Sequence, residues 1–189
     1  MATQNELKAW QDIVGATVDG KPGPETFNAT VQWLRAHGYI APLDTPEGFR
    51  TAVKALAEAL IRPWAQDEVD ALWTDVGCPE FVGHWHDKAW CGAFALRCLM
   101  RALPACADWT WHPGKGFLEV YGLPKVKLPE VGDIAYFARN QHHAIVVGVG
   151  SGKVTLVNGN GMLAPAEGVT HSTVAIGDVS AFYSIGKLG

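Results

Sequence analysis

The chain has 189 residues, 48% of them hydrophobic and 18% charged, with eight tryptophans and a formal charge of −4. That length and composition suit one ordinary folded domain, or a small domain joined to a medium one, and exclude a disordered chain. The acidic balance argues against nucleic acid and anionic membranes as partners, because both attract basic stripes.

The opening residues Met1-Ala2-Thr3-Gln4-Asn5-Glu6-Leu7 hold no basic region followed by an apolar run, and no apolar stretch approaches bilayer length. The protein is therefore expected in the cytoplasm where it is made, with no membrane partner. Cys78, Cys91, Cys98 and Cys106 form no CxxC pair and are too irregular for a disulfide scaffold or zinc ribbon. A Cys78–Cys106 bridge stays open, though a reducing compartment disfavours it.

Leu7, Trp10, Ile13 and Val14 recur at helical spacing up to Gly15. The turn Val18-Asp19-Gly20-Lys21-Pro22-Gly23-Pro24 leads into a second helix with Phe27, Val31 and Leu34 on one face, ended by His37-Gly38. A third helix is predicted from Thr45-Pro46-Glu47 through Phe49, Val53, Leu56 and Leu60, with Pro46 suited to its first turn. Ile61-Arg62-Pro63-Trp64 breaks it, so the boundary is placed there: a helical domain over 1–62 and a second domain over 63–189. On Asp19-Gly20, Gly23-Pro24 and Thr26, residues 5–40 resemble the small helical peptidoglycan-binding domain of cell-wall hydrolases.

Beyond the boundary, Gln66 to Val76 reads as a helix with Val69, Leu72 and Trp73 on one face, and Gly77 to Ala89 as loop. Next comes Ala89-Trp90-Cys91-Gly92-Ala93-Phe94-Ala95-Leu96-Arg97-Cys98, which reads as a buried helix opened by a cysteine. A thiol on a helix's first turn meets unpaired backbone N–H groups and the positive end of the macrodipole, which favour thiolate. Gly92 and Ala93 beside it are small enough for a substrate carbonyl to approach. Cys98, two turns on, reads as core. Trp109, Trp111, Phe117 and Tyr121 form an irregular stretch taken as the wall of a groove.

From Val131 the pattern turns to strands: 133–137, 143–149 and 154–158, a loop at 161–168, then β pattern over 169–176 and 181–185. Helices followed by an antiparallel meander predict an α+β fold. His143 heads an apolar strand, where an imidazole can reach a helix N-terminus. Asn158 and Asn160, two apart on the next strand, share a face if the strand persists, and either can orient the ring.

Trp90-Cys91-Gly92-Ala93-Phe94, Val131-Gly132-Asp133-Ile134-Ala135-Tyr136-Phe137, His143-Ala144-Ile145-Val146-Val147 and Leu156-Val157-Asn158-Gly159-Asn160 follow in that order. Together they resemble the CHAP family of cysteine, histidine-dependent amidohydrolases and peptidases, relatives of the NlpC-type peptidases on a papain-like fold. The resemblance spans roughly residues 64 to 187. It implies Cys91 as nucleophile and His143 as general base, with His142 a second claimant. Asn158 and Asn160 match the polar positions, and which of them orients the imidazole stays open.

The family's calcium loop is absent, and the resemblance implies neither metal nor cofactor. His84-Trp85-His86-Asp87 with Cys91 offers imidazoles and a thiolate as zinc ligands, but alternating histidines in a loop read rather as groove lining or solvated residues. The implied activity is hydrolysis of a peptidoglycan amide bond by a monomer, as an N-acetylmuramoyl-L-alanine amidase or endopeptidase. The build is that of a bacteriophage endolysin, held in the host cytoplasm and released to the wall. An antibacterial effector, a wall-remodelling amidase and a non-catalytic wall-binding phage component are the alternatives.

Overall fold

A computed structural model describes residues 4–21, 26, 29–30, 32–33, 45–84, 89–113, 117–163, 166–186 and 188. The chain divides into two compact units, Met1–Pro42 and Leu43–Gly189.

In the first unit, helix α1 (Gln4–Val14) ends at Gly15, whose φ of 75° is the left-handed conformation of a helix stop. Gln11, 1% exposed, ties α1 to the following turn. Its Nε2 lies within hydrogen-bonding distance of three acceptors, Asp19 Oδ1 (2.8 Å), Thr26 Oγ1 (2.7 Å) and the Lys21 carbonyl (3.0 Å), and its Oε1 accepts from Gly20 N (2.8 Å). The Asp19-Gly20 turn is thus held by one fully satisfied buried amide. Residues 26, 29, 30, 32 and 33 are helical; Phe27, Val31, Leu34, Gly23 and Pro24 lie outside the described residues.

In the second unit, α2 (Pro46–Ala59) starts at Thr45, whose hydroxyl accepts from Gly48 N at 3.1 Å, with Pro46 at the first helical position. This helix belongs to the second unit, since the division into compact units falls at Pro42/Leu43, ahead of the boundary expected near residue 62. Arg50 explains why. Its guanidinium donates to Asp133 Oδ1 (2.6 Å), the Val131 carbonyl (2.9 Å) and Ser184 Oγ (3.1 Å), and it pairs with Glu130 (2.7 Å). Asp133, 1% exposed, also accepts from the backbone of Glu130 and Ile185. Gly132 stands at φ 89°, and a Cβ there would press on the Arg50 backbone at 3.0 Å. The Val131-Gly132-Asp133 motif is therefore a latch joining α2 to the sheet.

Helix α3 (Gln66–Asp75) buries Val69, Leu72 and Trp73, and Glu68 closes its first turn on Ala65 N at 2.9 Å. Helix α4 (Cys91–Ala102) buries Phe94, Ala95, Leu96, Cys98 and Leu99, and a short helix α5 spans Phe117–Tyr121. Asp75 joins α3 to α4 by accepting from Arg97 (2.7 Å) and Arg101 (2.8 Å).

The sheet has β1 (Arg62–Pro63), β2 (Lys125–Val126), β3 (Ile134–Phe137), β4 (His142–Gly150), β5 (Lys153–Leu163), β6 (Ala166–Ala175) and β7 (Ala181–Tyr183). Their order is β1-β6-β5-β4-β3-β7-β2, with every pair antiparallel. Strands β3 to β6 form the meander and β7 returns beside β3. The fold is mixed α+β, with α4 packed on β4 and β5. On one sheet face Ala135, Ala144, Val146, Val154, Leu156 and Phe182 form a core covered by Val174, Ile176 and Val179.

The hairpin joining β4 to β5 turns at Ser151 and Gly152, both at positive φ (53° and 71°), which matches the strands' right-handed twist. Strand β5 runs to Leu163 and pairs with β6 where a loop over 161–168 was expected.

Candidate active site

The site is built at the N-terminus of α4. Cys91 is its first residue, and Trp90, the residue before, supplies no side-chain cap. The first-turn N–H groups there have no intrahelical acceptor. Trp90 is fully buried, stacked on Trp64 at 5.3 Å, and so anchors the helix start. Cys91 retains 4% exposure.

Gly92 serves a different purpose from the one expected. A Cβ there would collide with the six-membered ring of Trp111, so the space beside it holds an indole rather than an approaching carbonyl. Trp111 in turn meets the edge of the His143 ring at 5.6 Å. Gly159 repeats this logic on the strand side, since a Cβ would sit 2.6 Å from Phe94 Cβ. Strand β5 and helix α4 approach closely there, which fixes Asn158 relative to the helix.

His142 and His143 open β4 and, by alternation, belong to opposite faces of the sheet. His142 shares its face with Ala144 and with Asn158, which is paired to Ala144 across the ladder. Its Nε2 lies 3.0 Å from Asn158 Oδ1. An amide oxygen accepts, so Nε2 carries the proton and Nδ1 is left for another partner. His143 is 5% exposed among Trp111, Phe117 and Tyr136, and neither of its ring nitrogens closes a standard hydrogen bond among the described residues.

The expected assignment of the base to His143 is therefore not what the hydrogen bonding favours. The orienting amide sits on His142, because Asn158 pairs with Ala144 and so falls on the face of its even-numbered neighbour.

Asn160 does not share a regular face with Asn158. The ladder skips from Asn158↔Thr170 to Gly161↔Gly168, so Gly159 and Asn160 together oppose Val169 in a bulge, with Asn160 at φ 58°. No hydrogen bond links Asn160 to either histidine among the described residues.

The electrostatics single out one sulfur. Burial raises the Cys91 thiol, but interaction with the His142 and His143 side chains, the His142 charge and the His143 backbone N–H bring it down from 9.0 to about 6. Burial works against the His142 imidazolium too, yet Cys91 and Asn158 raise it overall. The two shifts describe one thiolate–imidazolium pair.

Burial pushes Cys98 and Cys106 up to about 12 and raises Cys78, whose Sγ contacts the Trp111 carbonyl at 3.2 Å. All four cysteines are free.

No group of three His, Cys, Asp or Glu side chains able to hold a metal occurs among the described residues. Trp85, His86 and Asp87 of the candidate zinc motif lie outside those residues. No helix among the described residues is long and apolar enough to cross a membrane.

Sequence reasoning missed Ser172, whose Oγ accepts from Asn158 Nδ2 at 3.0 Å. Only the β5–β6 register, which places Ser172 diagonal to Asn158, brings it to the site. No family model, curated protein or solved structure matches the chain.

Proposed function

We propose that this protein is a cysteine amidohydrolase or peptidase that cleaves an amide bond of peptidoglycan, with Cys91 as nucleophile, His142 as general base and acid, and Asn158 orienting His142. The carrying observation is a nearly buried thiol lowered to about 6 beside a raised imidazole that is hydrogen-bonded to an amide. A core cysteine does the reverse, as Cys98 and Cys106 do.

The Cys91 thiolate attacks the substrate carbonyl carbon, and first-turn N–H groups of α4 receive the developing oxyanion. The amine leaves with the proton of the His142 imidazolium, giving a thioester on Cys91. The imidazole, now neutral, takes a proton from water as it attacks; collapse of the second oxyanion releases the acid and restores the thiolate–imidazolium pair. Asn158 holds one tautomer throughout. His143 packs against the rings of Trp111 and Phe117 and adds to the stabilisation of the thiolate.

Peptidoglycan as substrate is supported by the four ordered CHAP-like motifs, which also support a papain-like arrangement of helix and sheet. The peptidoglycan-binding pattern near Asp19-Gly20 supports a wall-binding role for the first unit. Such a unit raises local concentration on the polymer without adding chemistry. A bacteriophage endolysin that waits in the host cytoplasm and acts as a monomer on the wall fits this build.

Purified peptidoglycan incubated with the protein should release fragments with one new amine and one new carboxylate, identified by mass spectrometry. Cys91→Ala should release none; equal release by both proteins overturns the mechanism.

A further inference from the structure

We propose that Ser172 is a positioning residue whose hydroxyl anchors the Asn158 amide where it can bond to His142. This rests on the proposed Cys91–His142 chemistry and extends it by one strand.

The Asn158 amide is held at both ends: Nδ2 donates to Ser172 Oγ at 3.0 Å while Oδ1 accepts from His142 Nε2 at 3.0 Å. A side chain fastened at one end only can turn away from the imidazole it orients. The order runs across three adjacent strands, from His142 on β4 through Asn158 on β5 to Ser172 on β6.

Asn158 is 8% exposed, so little water reaches the amide to replace a lost partner. Ser172 is half-buried on a strand held by ladder bonds along its length, so removing one oxygen there leaves the backbone pairing intact. Its effect is confined to the amide.

The test uses iodoacetamide labelling of Cys91 against pH in the full chain, alongside peptidoglycan hydrolysis. Ser172→Ala should move the labelling midpoint upward from about 6 and lower kcat/KM about tenfold, the scale of one hydrogen bond. Ser172→Thr, which keeps the hydroxyl, should stay near the wild type. In an Asn158→Ala background, Ser172→Ala should add nothing further to either readout, since its route of action is gone.

An unchanged midpoint in Ser172→Ala, or a full additional loss on top of Asn158→Ala, overturns the assignment while leaving Cys91–His142 standing. A wild-type midpoint near 9 instead removes the thiolate pair itself, and Ser172 with it.

Discussion

Cys91 and Cys98 stand on the same helix, two turns apart, and both are buried, yet their chemistry runs in opposite directions. At Cys91 the helix begins, two histidines stabilise the thiolate and the thiol is lowered to about 6. At Cys98 burial prevails over the nearby Arg97 and Arg101 charges, and the thiol rises to about 12. Burial penalises both thiolates. What separates them is position on the helix and the presence of partners for the negative charge.

The largest effect should come from removing one sulfur or the other. Cys91→Ala should eliminate hydrolysis, a fall on the order of 10⁶-fold in kcat for a lost nucleophile. Cys98→Ala should do the opposite: turnover persists and stability drops by about 1 kcal/mol, measured by urea unfolding.

The two histidines sharpen the contrast. His142→Gln should lower kcat about 10³-fold, within the range of general acid–base catalysis, while His143→Gln should lower it far less. A larger loss at His143 than at His142 returns the base to the residue expected from sequence.

Gly92→Ala tests the packing beneath the sulfur, since the added methyl meets the Trp111 ring. It should destabilise the fold by about 1–3 kcal/mol, as overpacking does, and slow Cys91 labelling by shifting the first turn. A variant of wild-type stability would show that Trp111 yields easily.

Smallest in amplitude is the pH dependence of turnover. Activity should rise with pH through about 6 as Cys91 ionises, then fall above the raised titration of His142 as the imidazolium loses its proton. The same pair sets the stability linkage. The depressed Cys91 pKa contributes stability that is full above pH 9 and lost as pH falls through about 6. The raised His142 pKa contributes stability that is full below its ordinary 6.5 and lost as pH rises through the folded value.

Local pattern in the sequence was enough to place Cys91 on the first turn of a buried helix and to anticipate the hairpin at Ser151-Gly152. Those features depend on residues near one another in the chain. The choice between His142 and His143 depends on which sheet face Asn158 occupies, and one residue of register reverses that answer. Asn160 was misplaced for a similar reason, because the bulge at Gly159-Asn160 breaks the alternation on which the expectation relied. Arg50 shows the limit at longer range: its partners Asp133 and Ser184 lie far along the chain, so the tie that draws α2 into the second unit has no local signature.

The most direct test of the thiolate pair is the rate of iodoacetamide labelling at each cysteine, followed by peptide mapping from pH 4 to pH 10. Cys91 should reach half its maximal rate near pH 6 while Cys78, Cys98 and Cys106 stay unlabelled in the folded protein. A Cys91 midpoint near 9, or a sulfur as inert as that of Cys98, would contradict the account.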